Sequence, residues 1–142
     1  MNLSKNFTLE ELIESPTARR LGYTEQFSPP QNIVTNLTSL CTHILQPLRD
    51  KAGPISTSSG WRCERANKAV GGSVTSQHMS GMAADISAIK GTNALLFKKI
   101  QELGLPWDQL IWEYGTKTEP AWVHVSFNPN GKPRKQILYT GV

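Results

Sequence analysis

The chain has 142 residues, of which 38% are hydrophobic and 18% are charged, a composition typical of a folded protein rather than a disordered one. Its 15 Lys and Arg residues exceed its 11 Asp and Glu residues by only four, and this mild, dispersed positive charge argues against a nucleic-acid-binding function. No stretch approaches the roughly 20 apolar residues that a membrane span requires. We therefore expect a single domain over residues 1–142, without a membrane span.

The N-terminal sequence MNLSKNFTLEEL lacks the apolar core of a signal peptide. We therefore expect synthesis in the cytoplasm. We also expect a monomer without a nucleic-acid partner.

The first segment carries the signals of two short helices. Thr8 followed by Glu11 is typical of a capping box, so a helix is predicted to begin there and to run to about Glu14. A second short helix is predicted over residues 17–21. It ends at Gly22, because a residue without a Cβ adopts the left-handed conformation that closes a helix.

The longest predicted helix begins after Ser28, because the two prolines that follow fit the first turn of a helix. Its apolar residues then recur at spacings of three and four, which predicts one buried face. Pro47 lacks the amide that would bond to the carbonyl of His43. We therefore expect a kink or a loosened last turn before Gly53.

Strand signals dominate the rest of the chain. The two aromatic and β-branched runs at 109–114 and 122–127 flank a loop with Gly and Pro, which predicts an antiparallel pair. The connections are too short for repeated βαβ crossovers, so the predicted class is α+β, with a small antiparallel sheet and helices packed on one face. The other predicted elements are strands over 55–59, 83–89 and 135–139, a short helix within 62–70 and a longer one over 92–103.

Two of the three histidines lie in contexts that favour metal binding. His78 and Asp85 flank the small segment SGMAA, and Asp85 lies in an otherwise apolar strand, where an unpaired carboxylate is costly. In WVHVSF, strand alternation places His124 on the face that holds Trp122 and Ser126. Two imidazole nitrogens and one carboxylate oxygen suit Zn²⁺ and leave the fourth position open, as in catalytic sites. An internal His–Asp hydrogen bond is the alternative interpretation.

The remaining candidate ligands and nucleophiles carry weaker signals. His43 lies in the long helix without other ligand types nearby, and we interpret it as a surface or structural residue. Cys41 and Cys63 are too few for a disulfide framework and too far apart for a metal knuckle, so both are expected to be buried free thiols. A thiol amidase with Cys63 as nucleophile, and His78 or His124 as its base, stays as an alternative.

Three sequence motifs together resemble one enzyme family. The run SGWRCERANKAVGGSVTSQHMSGMAADI is followed by DQLIWEY and by WVHVSF. They resemble the zinc D-alanyl-D-alanine carboxypeptidase family, in the group that also includes lysostaphin-type enzymes and the hedgehog signalling domain. The family pattern has an Arg after a Ser-Gly-aromatic turn, then Ser-x-His-x-x-Gly-x-Ala-x-Asp, then aromatic-x-His-x-Ser on a C-terminal strand. All of its parts are present, and the resemblance spans nearly the whole chain.

The resemblance implies a hedgehog or D-Ala-D-Ala peptidase-like fold in which His78, Asp85 and His124 bind one zinc ion per chain. It also implies that Arg62 faces the cleft, where a permanently charged guanidinium can bind a substrate carboxylate or an oxyanion. Ser76 is a candidate to hydrogen-bond the substrate, and an ordinary turn hydroxyl is an equal alternative. The implied substrate is the peptide stem of peptidoglycan.

The sequence departs from many members of this family at the position of the general base. Many members carry an acidic residue three positions before the final His, or a histidine two positions before it, but Ala121 and Trp122 stand there in this chain. Glu113 ends the strand that is expected to pair with the strand of His124, and it is our preferred base. Glu119, in the intervening loop, is the alternative.

The predicted activity is metal-assisted hydrolysis of an amide bond in the peptidoglycan stem, by a carboxypeptidase or an endolysin-like endopeptidase. The size of the chain suits a phage lysis or virion enzyme that acts on the cell wall, or a bacterial hydrolase. The missing acid near His124 keeps a non-catalytic, metal-containing binding module as an alternative.

Overall fold

The computed structural model describes residues 1–141 and has the predicted α+β architecture. A five-stranded sheet carries helices on one face, and a separate two-stranded sheet precedes them. In chain order the elements are β1 (Asn2–Ser4), β2 (Phe7–Thr8), α1 (Leu9–Ile13), α2 (Pro16–Leu21), α3 (Gln31–Leu40), a π-helical turn (Cys41–Leu45), α4 (Gln46–Ala52), β3 (Ile55–Ser59), α5 (Glu64–Ala69), β4 (Ala83–Ala88), α6 (Asn93–Glu102), β5 (Gln109–Glu113), β6 (Trp122–Ser126) and β7 (Gln136–Thr140). Two 3₁₀ turns, Thr24–Phe27 and Gln77–Ser80, complete the set.

The N-terminal helices have the predicted caps. The Thr8 hydroxyl accepts a hydrogen bond from the Glu11 amide (3.2 Å), and the Glu11 carboxylate accepts one from the Thr8 amide (3.0 Å), which is the capping box. α2 begins one residue earlier than predicted, because the Ser15 hydroxyl accepts from the amide of Ala18 and caps the helix. It ends at Gly22, whose φ of 73° is left-handed.

The break predicted from Pro47 lies on its N-terminal side. A π-helical turn spans Cys41–Leu45, and within it the Gln46 amide donates to the carbonyl of Cys41, five residues earlier. The wider turn accommodates Pro47, which has no amide to donate, so the helix continues through α4 without ending. The predicted loosening therefore occurs before Pro47 rather than in the turn before Gly53.

The large sheet has the strand order β3-β4-β6-β5-β7. The predicted antiparallel pairing of β5 with β6 is present, as are β3 with β4 and β4 with β6. β7 differs from the prediction because it lies parallel to β5. The end of β6 lies beside the start of β5. Residues 127–135 connect this end of β6 to the start of β7 on the other side of β5, so β7 then runs in the same direction as β5.

The two faces of the sheet have different roles. Residues such as Leu110, Trp112 and Val123 are buried against the helices and form the core. The alternate positions, among them Asp85 and His124, face the other side, as strand periodicity requires. No helix within residues 1–141 combines the length and hydropathy needed to cross a bilayer.

Candidate metal centre

The sheet and one short turn bring the three candidate ligands together. Asp85 on β4 lies directly opposite His124 on β6 in the antiparallel register, so both side chains project from the same face. His78 lies in the 3₁₀ turn Gln77–Ser80 that leads into β4. All three side chains are buried or nearly so, with exposed fractions of 2% for His78, 16% for Asp85 and 10% for His124.

The distances between their donor atoms fit a zinc ion. Asp85 Oδ1 lies 3.3 Å from His78 Nε2 and 3.1 Å from His124 Nδ1, and the three ligand atoms all lie within 4.8 Å of one another. A tetrahedral zinc with bonds of about 2.0–2.1 Å holds its nitrogen and oxygen ligands about 3.3 Å apart. The two separations between Asp85 and the histidines therefore match the spacing of ligands in a tetrahedral zinc site.

The hydrogen bond of His78 to Gly60 fixes which nitrogen faces the centre. His78 Nδ1 lies 2.7 Å from the Gly60 carbonyl, which can only accept, so Nδ1 carries the proton. In the neutral ring, Nε2 then presents a lone pair to Asp85 Oδ1, which is also an acceptor. Two acceptors at this distance repel each other unless a cation lies between them or the ring gains a second proton. The arrangement is typical of a metal-binding histidine with a backbone partner.

The Asp85 carboxylate remains ionised in this setting. Burial raises the pKa of the Asp85 carboxyl, but the contacts with His124 and His78 outweigh that effect and hold the pKa well below its usual range. The site therefore offers one negative charge and two imidazoles, which is the donor chemistry that zinc prefers.

Gly60→Ala tests how the backbone carbonyl supports the site. A Cβ at position 60 would clash with the carbonyl of Leu12, so the turn must shift and move the acceptor of His78. We expect the zinc Kd to rise about 10–100-fold, as is usual when the hydrogen-bond partner of a ligating histidine is disturbed. Competitive chelator titration measures this change.

Gly131→Ala is the matched control, because a Cβ there would make only an ordinary contact with Asn128. Both variants are first checked for folding by circular dichroism. Wild-type zinc affinity in a folded Gly60→Ala protein would contradict the role of this carbonyl.

A cleft of about 640 Å³ surrounds the three side chains and also contains Arg62, Ser76 and Glu113. Burial lowers the pKa of the Arg62 guanidinium, against the opposing influence of Asp85 and Glu113, whose carboxylates both lie near enough to raise it. The Arg62 Nε atom is buried without a partner among residues 1–141. The cleft thus places the Arg62 guanidinium beside the three candidate ligands, with one N–H group that has no partner within residues 1–141.

The structure separates the two candidate bases. Glu113 lines the cleft at the end of β5, and its Oε2 accepts a hydrogen bond of 2.7 Å from the Thr140 hydroxyl. Glu119 instead accepts from the amides of Asn93 and Ala94, both at 2.9 Å, at the start of α6. It stabilises the N-terminus of that helix, where a negative charge is favourable. Of these two carboxylates, Glu113 is the one that lines the cleft.

Ser76 has a structural contact as well as a place in the cleft. Its hydroxyl accepts a hydrogen bond of 3.2 Å from the His78 amide and so caps the 3₁₀ turn that carries the histidine. This hydrogen bond supports the interpretation of Ser76 as a turn hydroxyl, while its contact with substrate stays a prediction.

One residue that holds the site in place was not predicted. Gln26 is fully buried, and its amide group donates to the carbonyls of Ile13 and Trp61 and accepts from the Cys63 amide, each at 2.8 Å. It fixes the turn that carries Arg62. Its contacts span 13 to 37 residues, so no local sequence signal identifies it.

The cysteines lie outside the cleft, and His43 has a structural role. Cys41 and Cys63 are free and buried, and burial, aided by Glu11, raises the pKa of the Cys41 thiol to about 12. Cys63 lines a separate, more apolar groove of about 900 Å³ that adjoins the cleft at Arg62 and contains none of the candidate ligands. His43 is exposed and its ring stacks on Phe127, with 4.5 Å between the ring centres, which agrees with its interpretation as a surface or structural residue.

A family model described as Peptidase M15 matches residues 5–126. The match includes all three candidate ligands, Arg62 and Glu113, and it ends before β7. No curated protein matches the chain.

Proposed function

Since the chain belongs to the peptidase M15 family, we propose that it hydrolyses an amide bond in the peptide stem of peptidoglycan with a zinc ion held by His78, Asp85 and His124. The observation that carries this proposal is the spacing of their three donor atoms at the bottom of a cleft that also contains an acid and a guanidinium. D-Ala-D-Ala carboxypeptidase and endolysin-like endopeptidase activities both fit that arrangement.

His78 Nε2, Asp85 Oδ1 and His124 Nδ1 are the atoms that would hold the metal. Zinc supplies Lewis acidity when bound, which lowers the pKa of water to about 7 and polarises a carbonyl group. The chain contributes the orientation of the ligands: the Gly60 carbonyl sets the His78 ring, and the β4–β6 pairing sets Asp85 against His124. Because these supports are backbone groups, the site is preorganised before substrate binds.

Glu113 would act as the general base through Oε1. The Thr140 hydroxyl donates to Oε2, whereas Oε1 accepts no hydrogen bond within residues 1–141 and would take the proton from the attacking water. The protonated carboxyl group would then give that proton to the leaving amine, so one side chain would act first as base and then as acid. The base missing from the segment before His124 is thus supplied by the neighbouring strand, because Glu113 and Trp122 are direct partners in the β5–β6 register.

Arg62 would bind the oxygen of the scissile carbonyl as negative charge develops on it. The guanidinium keeps its charge in a partly buried site, where hydrogen bonds to an oxyanion are stronger than in water. The Arg62 amide also donates to the His78 carbonyl at 3.0 Å, so the arginine and the first ligand are held in one backbone unit.

The cellular setting is part of the same proposal. We infer an enzyme that is made in the cytoplasm and acts on the cell wall, either as a phage lysis or virion enzyme or as a bacterial hydrolase. Its net charge of +4 is compatible with an anionic wall polymer.

Digestion of defined muropeptides by the purified, zinc-loaded protein tests the proposal. We expect new fragments whose masses identify the cleaved bond, complete loss of cleavage with dipicolinate, and recovery on adding zinc. Cys63→Ala is expected to retain wild-type activity, because Cys63 lies in the adjoining groove. Activity that resists chelation but disappears in Cys63→Ala would identify a thiol amidase. A folded, zinc-loaded protein that cleaves none of the muropeptides would instead be a non-catalytic module.

A further inference from the structure

Arg134 lies at the opposite end of the cleft from the proposed base. Along β5, Gln109, Ile111 and Glu113 take alternate positions in the strand, and Ile111 is the direct partner of His124. Gln109 lies two residues before Ile111, about 7 Å along the strand, in the direction away from Glu113. Gln109 and Arg134 both line this end of the cleft. The cleft therefore has a second guanidinium on the side of the metal ligands away from Glu113.

A buried carboxylate holds one edge of this guanidinium. Asp108 is only 2% exposed, and its Oδ2 accepts hydrogen bonds from Arg134 Nε (3.0 Å) and Nη2 (2.7 Å). Within residues 1–141, Nη1 makes no hydrogen bond, and the Arg134 side chain is 55% exposed. A guanidinium bound through Nε and Nη2 still offers the N–H groups of its Nη1–Nη2 edge in parallel, which is the geometry that binds a carboxylate through two hydrogen bonds.

The backbone around Arg134 is also fixed. Its own amide donates to Asp108 Oδ1 (3.0 Å), and the Gln136 amide donates to the Asp108 carbonyl (3.0 Å). Lys135 has a φ of 53°, and its Nζ bonds to the Leu105 carbonyl and lies 4.1 Å from the centre of the Trp107 ring. A non-glycine residue in the left-handed region persists only where its surroundings hold it there.

We infer that Arg134 binds a free carboxylate of the substrate peptide and so selects carboxylate-bearing stems over their amidated forms. This inference rests on the proposed function, and it assigns a role to a residue outside the range that the family model matches. A purely structural tether would need only the edge that faces Asp108. The Nη1–Nη2 edge of Arg134 is free and lies at the cleft, on a segment that is fixed at several points. A structural tether does not require this free edge.

Peptide binding to the zinc-loaded Glu113→Gln protein tests the inference, because that variant is expected to consume the ligand at least about 100-fold more slowly. The probes are three synthetic stem peptides. In the first, the C-terminal carboxylate and the internal glutamyl carboxylate are both free; in the second, the C-terminal carboxylate is replaced by a carboxamide; in the third, the glutamyl carboxylate is replaced by a carboxamide. We expect one of the two amides to bind about 10–100-fold more weakly than the free acid, and that amide identifies the carboxylate that Arg134 contacts. Adding Arg134→Gln is expected to abolish this difference.

Lys132→Gln is the matched control, because it removes the same charge from the same exposed segment without touching the cleft. Arg134→Lys keeps the charge but loses the planar pair of donors, so it is expected to lose most of the discrimination, and it replaces Arg134→Gln if that variant does not fold. Unchanged discrimination in the folded Arg134 variants would overturn the inference. Discrimination in a protein that cleaves no muropeptide would leave the inference standing and contradict the proposed function instead.

Discussion

Glu113→Gln is expected to lower kcat by about 10²–10⁴-fold on the muropeptide that the wild-type protein cleaves, the range usual for loss of a general base. Glutamine has nearly the same shape and can still accept from the Thr140 hydroxyl, but it cannot take a proton from water. We expect one zinc ion per chain to remain bound, because Glu113 is not among the three clustered ligands. Steady-state kinetics with metal analysis of the same preparation separates the two effects.

Glu119→Gln provides the matched control, since it makes the same chemical change in the loop between β5 and β6. Its carboxylate caps the amides of Asn93 and Ala94, so the variant is expected to lose about 1 kcal/mol of stability and to keep its kcat. If Glu113→Gln retained full activity while Glu119→Gln lost it, the assignment of the base would be reversed.

The family and the general fold were predictable because their signals are local in sequence. The capping box at Thr8 and Glu11, the left-handed stop at Gly22 and the alternation in WVHVSF each require only a few neighbouring residues. The Ser-x-His-x-x-Gly-x-Ala-x-Asp segment is likewise contiguous, and the family match now supports the resemblance drawn from it.

The parallel pairing of β7 with β5 was not predictable from these signals. Alternation shows that residues 136–140 form a strand, but it does not show which edge that strand joins or in which direction. This pairing places Thr140 against Glu113 and brings Arg134 to the cleft. The parts of the site that sequence motifs missed therefore come mostly from one long-range pairing.

The absent acid before His124 shows how the fold can supply a group from another place. In sequence, Glu113 lies 11 positions before His124, and its relevance depends on the β5–β6 register. That register pairs Glu113 with Trp122, two positions from the ligand and on the same face of the strand. A carboxylate from the neighbouring strand can therefore reach the region that a residue before His124 would serve.

Asp85→Ala is expected to remove stoichiometric zinc and to lower kcat/KM by about 10³-fold or more. Asp85 Oδ1 contacts both imidazoles and supplies the only negative charge in the clustered ligand set, so its loss leaves two neutral ligands. Loss of a Lewis acid worth several kcal/mol in the transition state corresponds to at least three orders of magnitude in rate. Metal analysis after dialysis against micromolar zinc, followed by the muropeptide assay, measures both quantities.

Asp50→Ala is the control for this variant, because it removes an exposed carboxylate on α4 whose one side-chain partner within residues 1–141 is Gln46. It should retain zinc and activity, which would show that loss of an arbitrary negative charge is not the cause. Zinc added at high concentration is expected to restore little activity to Asp85→Ala, because the two remaining imidazoles do not replace the Asp85 carboxylate as a ligand. If the folded Asp85→Ala protein kept one zinc ion and wild-type kcat/KM, the ligand set and the mechanism built on it would both be wrong.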